Sequence, residues 1–169
     1  MQIRFAVITV SDRSARGERA DASGPALVEA IEAAGWVVER QLVIADNLRE
    51  ISETLTALAD NGEVDIILTT GGTGFAPRDV TPEATAAVIV RDAPGLGEAM
   101  RAASASRSAH AMLSRARAGI RGRVLIVNLP GNPAAALENL RVIEPALEHA
   151  VQLLQDSPQA EAGHAKRVV

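Results

Sequence analysis

Hydrophobic and polar positions along the chain alternate between two periods. Residues 3–10 are a predominantly apolar, β-branched run that stops at Ser11-Asp12. A run in which apolar residues fill both alternating sets reads as a strand covered on both faces, as in a parallel sheet. A polar loop follows from Arg13 to Ser23, and Pro25 then suits the first turn of a helix reaching about Ala34, with Gly35 as its stop. Residues 36–44 read as a second strand. Asn47 is placed to cap the next helix, with Glu50 three positions on as its capping-box partner. Leu48, Ile51, Leu55 and Leu58 recur at helical spacing, which predicts that they face a core. Gly62 ends that helix, and residues 64–70 form a third strand that runs straight into Gly71-Gly72-Thr73-Gly74.

The same alternation continues to the end of the chain. Thr81-Pro82-Glu83 reads as a helix start, with Thr as cap, Pro in the first position and Glu at the positive end. Pro94-Gly95-Leu96-Gly97 reads as a break, with a short helix from Glu98. Residues 111–120 and 123–129 flank Arg121-Gly122 and read as two strands joined by a turn. The second feeds Pro130-Gly131-Asn132-Pro133, after which a long helical stretch begins near Ala134. Leu137, Leu140, Ile143, Leu147, Val151 and Leu154 make one apolar face of it, and Pro145 is expected to kink or split it. Strands alternating with helices predict an α/β fold, a mostly parallel sheet with helices on both faces. One domain is expected over residues 1–155, with a mobile polar tail at 156–169 and no internal repeat. Parallel sheets of this kind bind ligands beyond the carboxyl ends of their strands, so Ser11-Asp12, the GGTG segment and the LPGNP segment are expected on one edge.

Composition narrows the classes of function. A chain of 169 residues suffices for one domain with a sizeable core. Its net charge of −4 gives no bulk field toward nucleic acid or an anionic membrane, and 2% aromatic content leaves little for stacking bases. No nucleic-acid partner is expected. The absence of Cys excludes disulfides, thiolate metal sites and cysteine nucleophiles, and suits a reducing compartment. The apolar run at 5–10 is too short to span a membrane and lacks a signal-peptide pattern, so a cytoplasmic location is expected.

Candidate chemistry concentrates in the loops. Thr69-Thr70-Gly71-Gly72-Thr73-Gly74 follows a buried strand; its glycines permit positive φ and close approach of backbone N–H groups to an anion, and its threonines add donors. A tight turn that merely requires glycine is the alternative. No Gly-Lys-Ser/Thr follows, which excludes a P-loop, and Pro77 stands where a dinucleotide motif needs its third glycine. Arg78 is suited to clamping a phosphate, and Asp79 beside it is either a ligand or a charge at a helix N-terminus. Asp46 is either a cation ligand or base at a strand end, or a helix cap beside Asn47. Pro130, Gly131 and Asn132 form a rigid turn before a helix with free N–H groups, and Ser11, Asp12 and Arg13 end the first strand. Ser114, Arg115 and Arg117 add polarity and charge, the two arginines on one face if they lie in a strand. His110, His149 and His164 show no zinc-ligand spacing, and no GxSxG elbow is present.

Taken in order, VDIILTTGGTG, PRDVTPEAT, PGLGEAMR, LSRARAGI and VLIVNLPGNP resemble the molybdenum cofactor biosynthesis family MoaB/Mog, to which the gephyrin G domain is similar. The resemblance runs from about Phe5 to Leu154. It implies a three-layer α/β/α, molybdopterin-binding-like fold, assembled as a homotrimer or as a hexamer of two trimers. It implies a Mg-ATP-dependent adenylyltransferase that moves AMP from ATP to the phosphate of molybdopterin. The family acids fall on Asp46 and Asp79, which would hold Mg²⁺. Ser11, Asp12, Thr70, Gly71, Gly72, Thr73, Gly74, Arg78, Ser114, Pro130, Gly131 and Asn132 would line the substrate and nucleotide site. A non-catalytic pterin-binding paralogue or a scaffold is the alternative that the same resemblance allows.

Overall fold

The computed structural model describes residues 1–158; from residue 159 on, the tail expected at 156–169 lies outside them. Six strands make one sheet in the order β2-β1-β3-β6-β5-β4. They are β1 (Arg4–Val10), β2 (Val37–Ile44), β3 (Ile66–Thr70), β4 (Arg91–Asp92), β5 (Ala118–Arg121) and β6 (Val124–Leu129). The first four in spatial order are parallel, while β5 runs antiparallel to both β6 and β4. The helices are α1 (Asp12–Ala15), α2 (Ser23–Ala33), α3 (Leu48–Asp60), α4 (Thr81–Val88), α5 (Pro94–Ala105) and α6 (Pro133–Leu154).

The sheet is the middle of three layers. Side chains alternate across a strand, so Phe5 and Val7 pack with α2, α5 and α6 on one face. Ala6, Ile8 and Val10 pack with α3 and α4 on the other. Phe5 stacks on Trp36 with ring centroids 5.4 Å apart, which closes the far end of the first core. The chain leaves β1 toward β2 through α2, then returns past β1 to β3 through α3. The order therefore reverses between β1 and β3, and their carboxyl ends open a crevice at that point.

Several expectations change. Residues 111–120 are not one strand: a 3-10 turn at Ala109–Leu113 is capped by Ser108, whose hydroxyl accepts the His110 N–H, and pairing starts only at Ala118. There Gly119 admits close packing, since a β-carbon would stand 2.8 Å from the Arg91 carbonyl oxygen. PGLG does not precede α5 but begins it. Pro94 occupies the first turn, where its missing N–H costs nothing, and a β-carbon at Gly97 would press on the Ala116 carbonyl at 3.1 Å. Leu48 is exposed because it starts α3 beyond the sheet, whereas Ile51, Leu55 and Leu58 are buried as the spacing predicts. Pro145 does not split α6; it is exposed, so the backbone bond it removes lies on the solvent side. Among the described residues no helix is long and apolar enough to cross a membrane.

Candidate functional site

The carboxyl ends of β1, β2, β3 and β6 bring Ser11, Asp46, Thr70 to Gly72 and Gly131-Asn132 around one cavity of about 510 Å³. Gly71 holds φ at +104° and Gly72 at +63°, backbone conformations that favour glycine. A β-carbon on Gly71 would strike the Val10 carbonyl oxygen, and one on Gly72 would strike the Thr81 hydroxyl and stand 3.0 Å from Asp46 Oδ1. The loop is braced from below. The Thr81 hydroxyl donates to the Gly71 carbonyl at 3.0 Å, and its N–H donates to that of Gly72 at 3.1 Å. Thr81 is thus a brace for the glycine turn and not the side-chain cap of α4. Behind it, Asn128 Nδ2 donates to the hydroxyls of Thr69 (3.0 Å) and Thr85 (2.8 Å) in a fully buried network.

Not every group in the loop faces a ligand. The Gly71 N–H donates to Leu129 O at 3.1 Å, and the Thr70 hydroxyl donates to Pro130 O at 2.8 Å, tying the two loops together. Among the described residues, no protein acceptor takes the N–H groups of Gly72, Thr73 or Gly74. Unpaired amides after a parallel strand are donors available to an anion; Gly72 borders the polar cavity, and Thr73 and Gly74 border the second cavity described below. Asn132 caps α6 by accepting the Ala135 N–H at 3.1 Å.

The acidic residues gather on one rim. Asp46 and Asp12 exchange bonds: the Asp12 N–H donates to Asp46 Oδ2 at 2.8 Å and the Asp46 N–H to Asp12 Oδ1 at 3.0 Å. Arg78 engages both Asp12 oxygens, at 2.9 and 2.8 Å, and so faces a carboxylate where the sequence suggested a phosphate. That pairing holds the Asp12 carboxyl below its usual range. Asp46 moves the other way: partial burial raises its carboxyl, and the negative charges of Asp12 and Asp79 add to the effect. The Asp79 carboxylate accepts the Ala76 N–H at 2.9 Å and lies 2.8 Å from where a β-carbon on Gly74 would stand. Both Asp46 and Asp79 therefore border the glycine turn, on the same edge of the sheet. Two carboxylates beside an anion cradle match the donor set of Mg²⁺, which takes one or two carboxylates together with phosphate oxygens. Among the described residues no cluster of three or more acidic or histidine side chains is arranged for a metal.

A second cavity, of about 330 Å³ and mostly apolar, opens on the other side of Thr73, Gly74 and Pro130. Ser114 lines this one, apart from the first, together with Met100, Arg101, His110 and Asn139. Arg115 and Arg117 both border a further cavity beside Asp92 and Gly97 but take different partners. Arg115 turns to the Gly74 carbonyl and Glu83, while Arg117 pairs with Asp92 at 3.2 Å. The strand needed to align them is absent at those positions.

The polar loop between β1 and α2 supplies wall residues that its composition did not reveal. Asp21 accepts the Thr9 hydroxyl at 2.8 Å and the Gly24 N–H at 3.1 Å, capping α2 at the cavity wall. An Asp two residues before a helix start is a cap signal legible in sequence; that it borders the site is not. The Ser14 hydroxyl, on α1, also lines the cavity and is buried without a partner among the described residues. A buried unsatisfied hydroxyl at a cavity wall marks a position for a ligand atom.

Comparison with known proteins places this architecture. A family model described as a probable molybdopterin binding domain matches residues 6–149. The chain is 39% identical over 154 residues to a molybdopterin adenylyltransferase of Helicobacter pylori, covering 90% of this chain and 88% of that protein. It is also 39% identical to gephyrin of Dictyostelium discoideum over 95% of this chain, but spans only 24% of that longer protein. The crystal structure of the molybdopterin biosynthesis enzyme MoaB from Thermus thermophilus superposes with a TM-score of 0.87 at 43% identity, over 93% of this chain and 99% of that one.

Proposed function

This chain belongs to the probable molybdopterin-binding domain family, and from that premise we propose that it is a molybdopterin adenylyltransferase of molybdenum cofactor biosynthesis. The observation that carries the proposal is the juxtaposition of three unpaired loop amides, Gly72 to Gly74, with the carboxylates of Asp46 and Asp79. A terminal phosphate oxygen of molybdopterin attacks the α-phosphorus of ATP. The new P–O bond forms as the bond to the β-phosphate oxygen breaks, and pyrophosphate leaves with the electron pair. The chemistry asks for positioning and charge stabilisation and needs no covalent intermediate on the protein.

The protein groups divide that work. The amides of Gly72 to Gly74 donate to phosphoryl oxygens as charge develops on them. Asp46 and Asp79 would hold Mg²⁺, which supplies positive charge among phosphates that would otherwise repel one another. Ser11, Ser14, Asn132 and the Asp21-capped start of α2 line the polar cavity and suit the nucleotide side. Ser114 and Pro130 border the apolar cavity, which suits a flat heterocycle. Arg78 exchanges Asp12 for a substrate phosphate. A cytoplasmic setting and a trimer, or a hexamer of two trimers, go with the same assignment; mass measurement in solution tests the assembly.

The test is pyrophosphate release from ATP, with and without molybdopterin. Release that depends on both substrates supports the proposal. Asp79→Asn is expected to abolish turnover while leaving molybdopterin bound. Molybdopterin binding without any pyrophosphate release by the wild-type protein would instead make it a non-catalytic binding protein.

A further inference from the structure

Residues 74–80 connect the glycine turn to α4 and carry Asp79, yet they have little regular structure of their own. Phe75, Ala76, Pro77 and Arg78 are exposed. Inside the segment a small reciprocal turn forms: the Asp79 N–H donates to Ala76 O and the Ala76 N–H to Asp79 Oδ2, both at 2.9 Å. That turn fixes Asp79 relative to Ala76 but fixes neither relative to the sheet. Loops so exposed tend to populate several conformations unless something outside them limits the choice.

Arg78 ties the exposed tip to Asp12, and a second outside restraint, which reaches both ends of the segment, comes from one residue on the approach to β5. The Arg115 backbone N–H donates to Thr73 O at 2.9 Å, and its Nε donates to Gly74 O at 2.8 Å. Its Nη2 donates to the Asp79 carbonyl, and its Nη1 reaches Glu83 in the first turn of α4. A single side chain thus spans the segment from the end of the glycine turn to the start of the helix. The guanidinium is planar with fixed N–H directions, so two carbonyls five positions apart in sequence are held at a set separation. Glu83 meets its positive charge; burial works to raise the Glu83 carboxyl, but the Arg115 hydrogen bond and charge carry it below the usual range. Arg115 is 35% exposed at the side chain, and an ion pair that open contributes little to global stability. Its geometric effect is local.

We propose that Arg115 is a positioning residue that sets where the Asp79 carboxylate and the Thr73-Gly74 amides stand against Asp46. The proposal rests on the adenylyl-transfer assignment for what that placement accomplishes, but not for the placement itself. Arg115 acts through Asp79 and the loop amides, since its engaged N–H groups go to protein carbonyls and to Glu83. Lysine cannot reproduce the fork, because its ammonium donates from one point.

Two measurements on Arg115→Met, Arg115→Lys and the neighbouring control Arg117→Met test this. The first is steady-state adenylylation. Arg115→Met should lower kcat on the order of 10–100-fold, with the KM for ATP changed much less and a higher Mg²⁺ concentration needed for half-maximal rate. Arg115→Lys should recover part of kcat, and Arg117→Met should match wild type. The second is amide hydrogen exchange, which needs no activity. In Arg115→Met, protection should fall in residues 73–83 while α3 and the β1–β3 core keep theirs. Unchanged exchange at 73–83 overturns the positioning role whether or not the protein adenylylates. Faster local exchange with wild-type kcat and Mg²⁺ dependence overturns its link to Asp79. If wild type itself does not turn over, the assigned reaction fails, and the exchange result alone decides the placement. Should Arg115→Met not fold, exchange in Arg115→Lys gives the same decision.

Discussion

Asp46 carries opposed demands at the scale of a single side chain. Its carboxylate is drawn partly out of water at the end of β2, which is the main resistance to its ionisation; the charges of Asp12 and Asp79 add to it, while the bond from the Asp12 N–H works against it. An acid with a raised folded-state pKa binds more protons folded than unfolded, so its penalty appears as pH rises from the unfolded value, about 3.9, through the folded one, and persists above it. Asp46→Asn should therefore raise the melting temperature at pH 7, and the gain should vanish as pH falls below the ordinary carboxylate range. A melting temperature at pH 7 equal to or below wild type would mean that the acidic rim does not oppose folding. The same variant should lose adenylylation, since a neutral amide is a poorer partner for Mg²⁺. Asp12 behaves in the other sense: Arg78 lowers its carboxyl, so its contribution is present above the unfolded pKa and is lost as pH falls through the folded one.

At the scale of elements, β3 and α4 act as a unit through the turn that joins them. Gly72 needs a left-handed backbone that costs an L-residue roughly 1–2 kcal/mol, and a branched side chain there would meet Thr81 and Asp46. Gly72→Val should destabilise the protein and abolish ATP binding measured by calorimetry; normal affinity would reduce the loop to a simple turn. Asn128 does related work one layer down. Replacing it with Leu strands the buried hydroxyls of Thr69 and Thr85 and the Arg117 N–H that donates to Asn128 Oδ1 at 3.2 Å. Asn128→Leu should cost about 1–3 kcal/mol, read as a lower urea midpoint at constant slope. The β3 run and the GGTG composition are both plain in the sequence. Which of the loop's donors remain available is not, because Gly71 and Thr70 are claimed by β6 and Pro130, residues some sixty positions away.

For the whole molecule, the cavity stands where the strand order reverses, so four strand ends from separate stretches of chain build it. Occupancy should then stabilise the entire fold. ATP with Mg²⁺ at about 100 times its dissociation constant should add about 2.7 kcal/mol, a rise of about 5–10 °C in melting temperature. Chelation of the metal should remove most of the gain. A shift that survives chelation would show that nucleotide binds without the carboxylate-held cation.

Local pattern alone settled the α/β class, the buried β1 and β3, the buried face of α3 and the family resemblance. Each depends on periodicity or on a turn residue whose physics is local: a β-branched run, an Asn cap, a glycine at positive φ. Where the pattern misled, a distant contact had decided the outcome. Residues 111–117 are expected in a strand, yet Arg115 pairs with Thr73 and the Gly74 carbonyl, and strand pairing waits until Ala118. Arg78 lies beside the glycine turn in sequence and reaches Asp12 across the rim in space. Thr81 has the composition of a cap and braces Gly71. The tertiary fold made these choices because hydrogen-bond partners are set by what the sheet brings together, and strand order places β1, β3 and β6 side by side although the chain separates them widely.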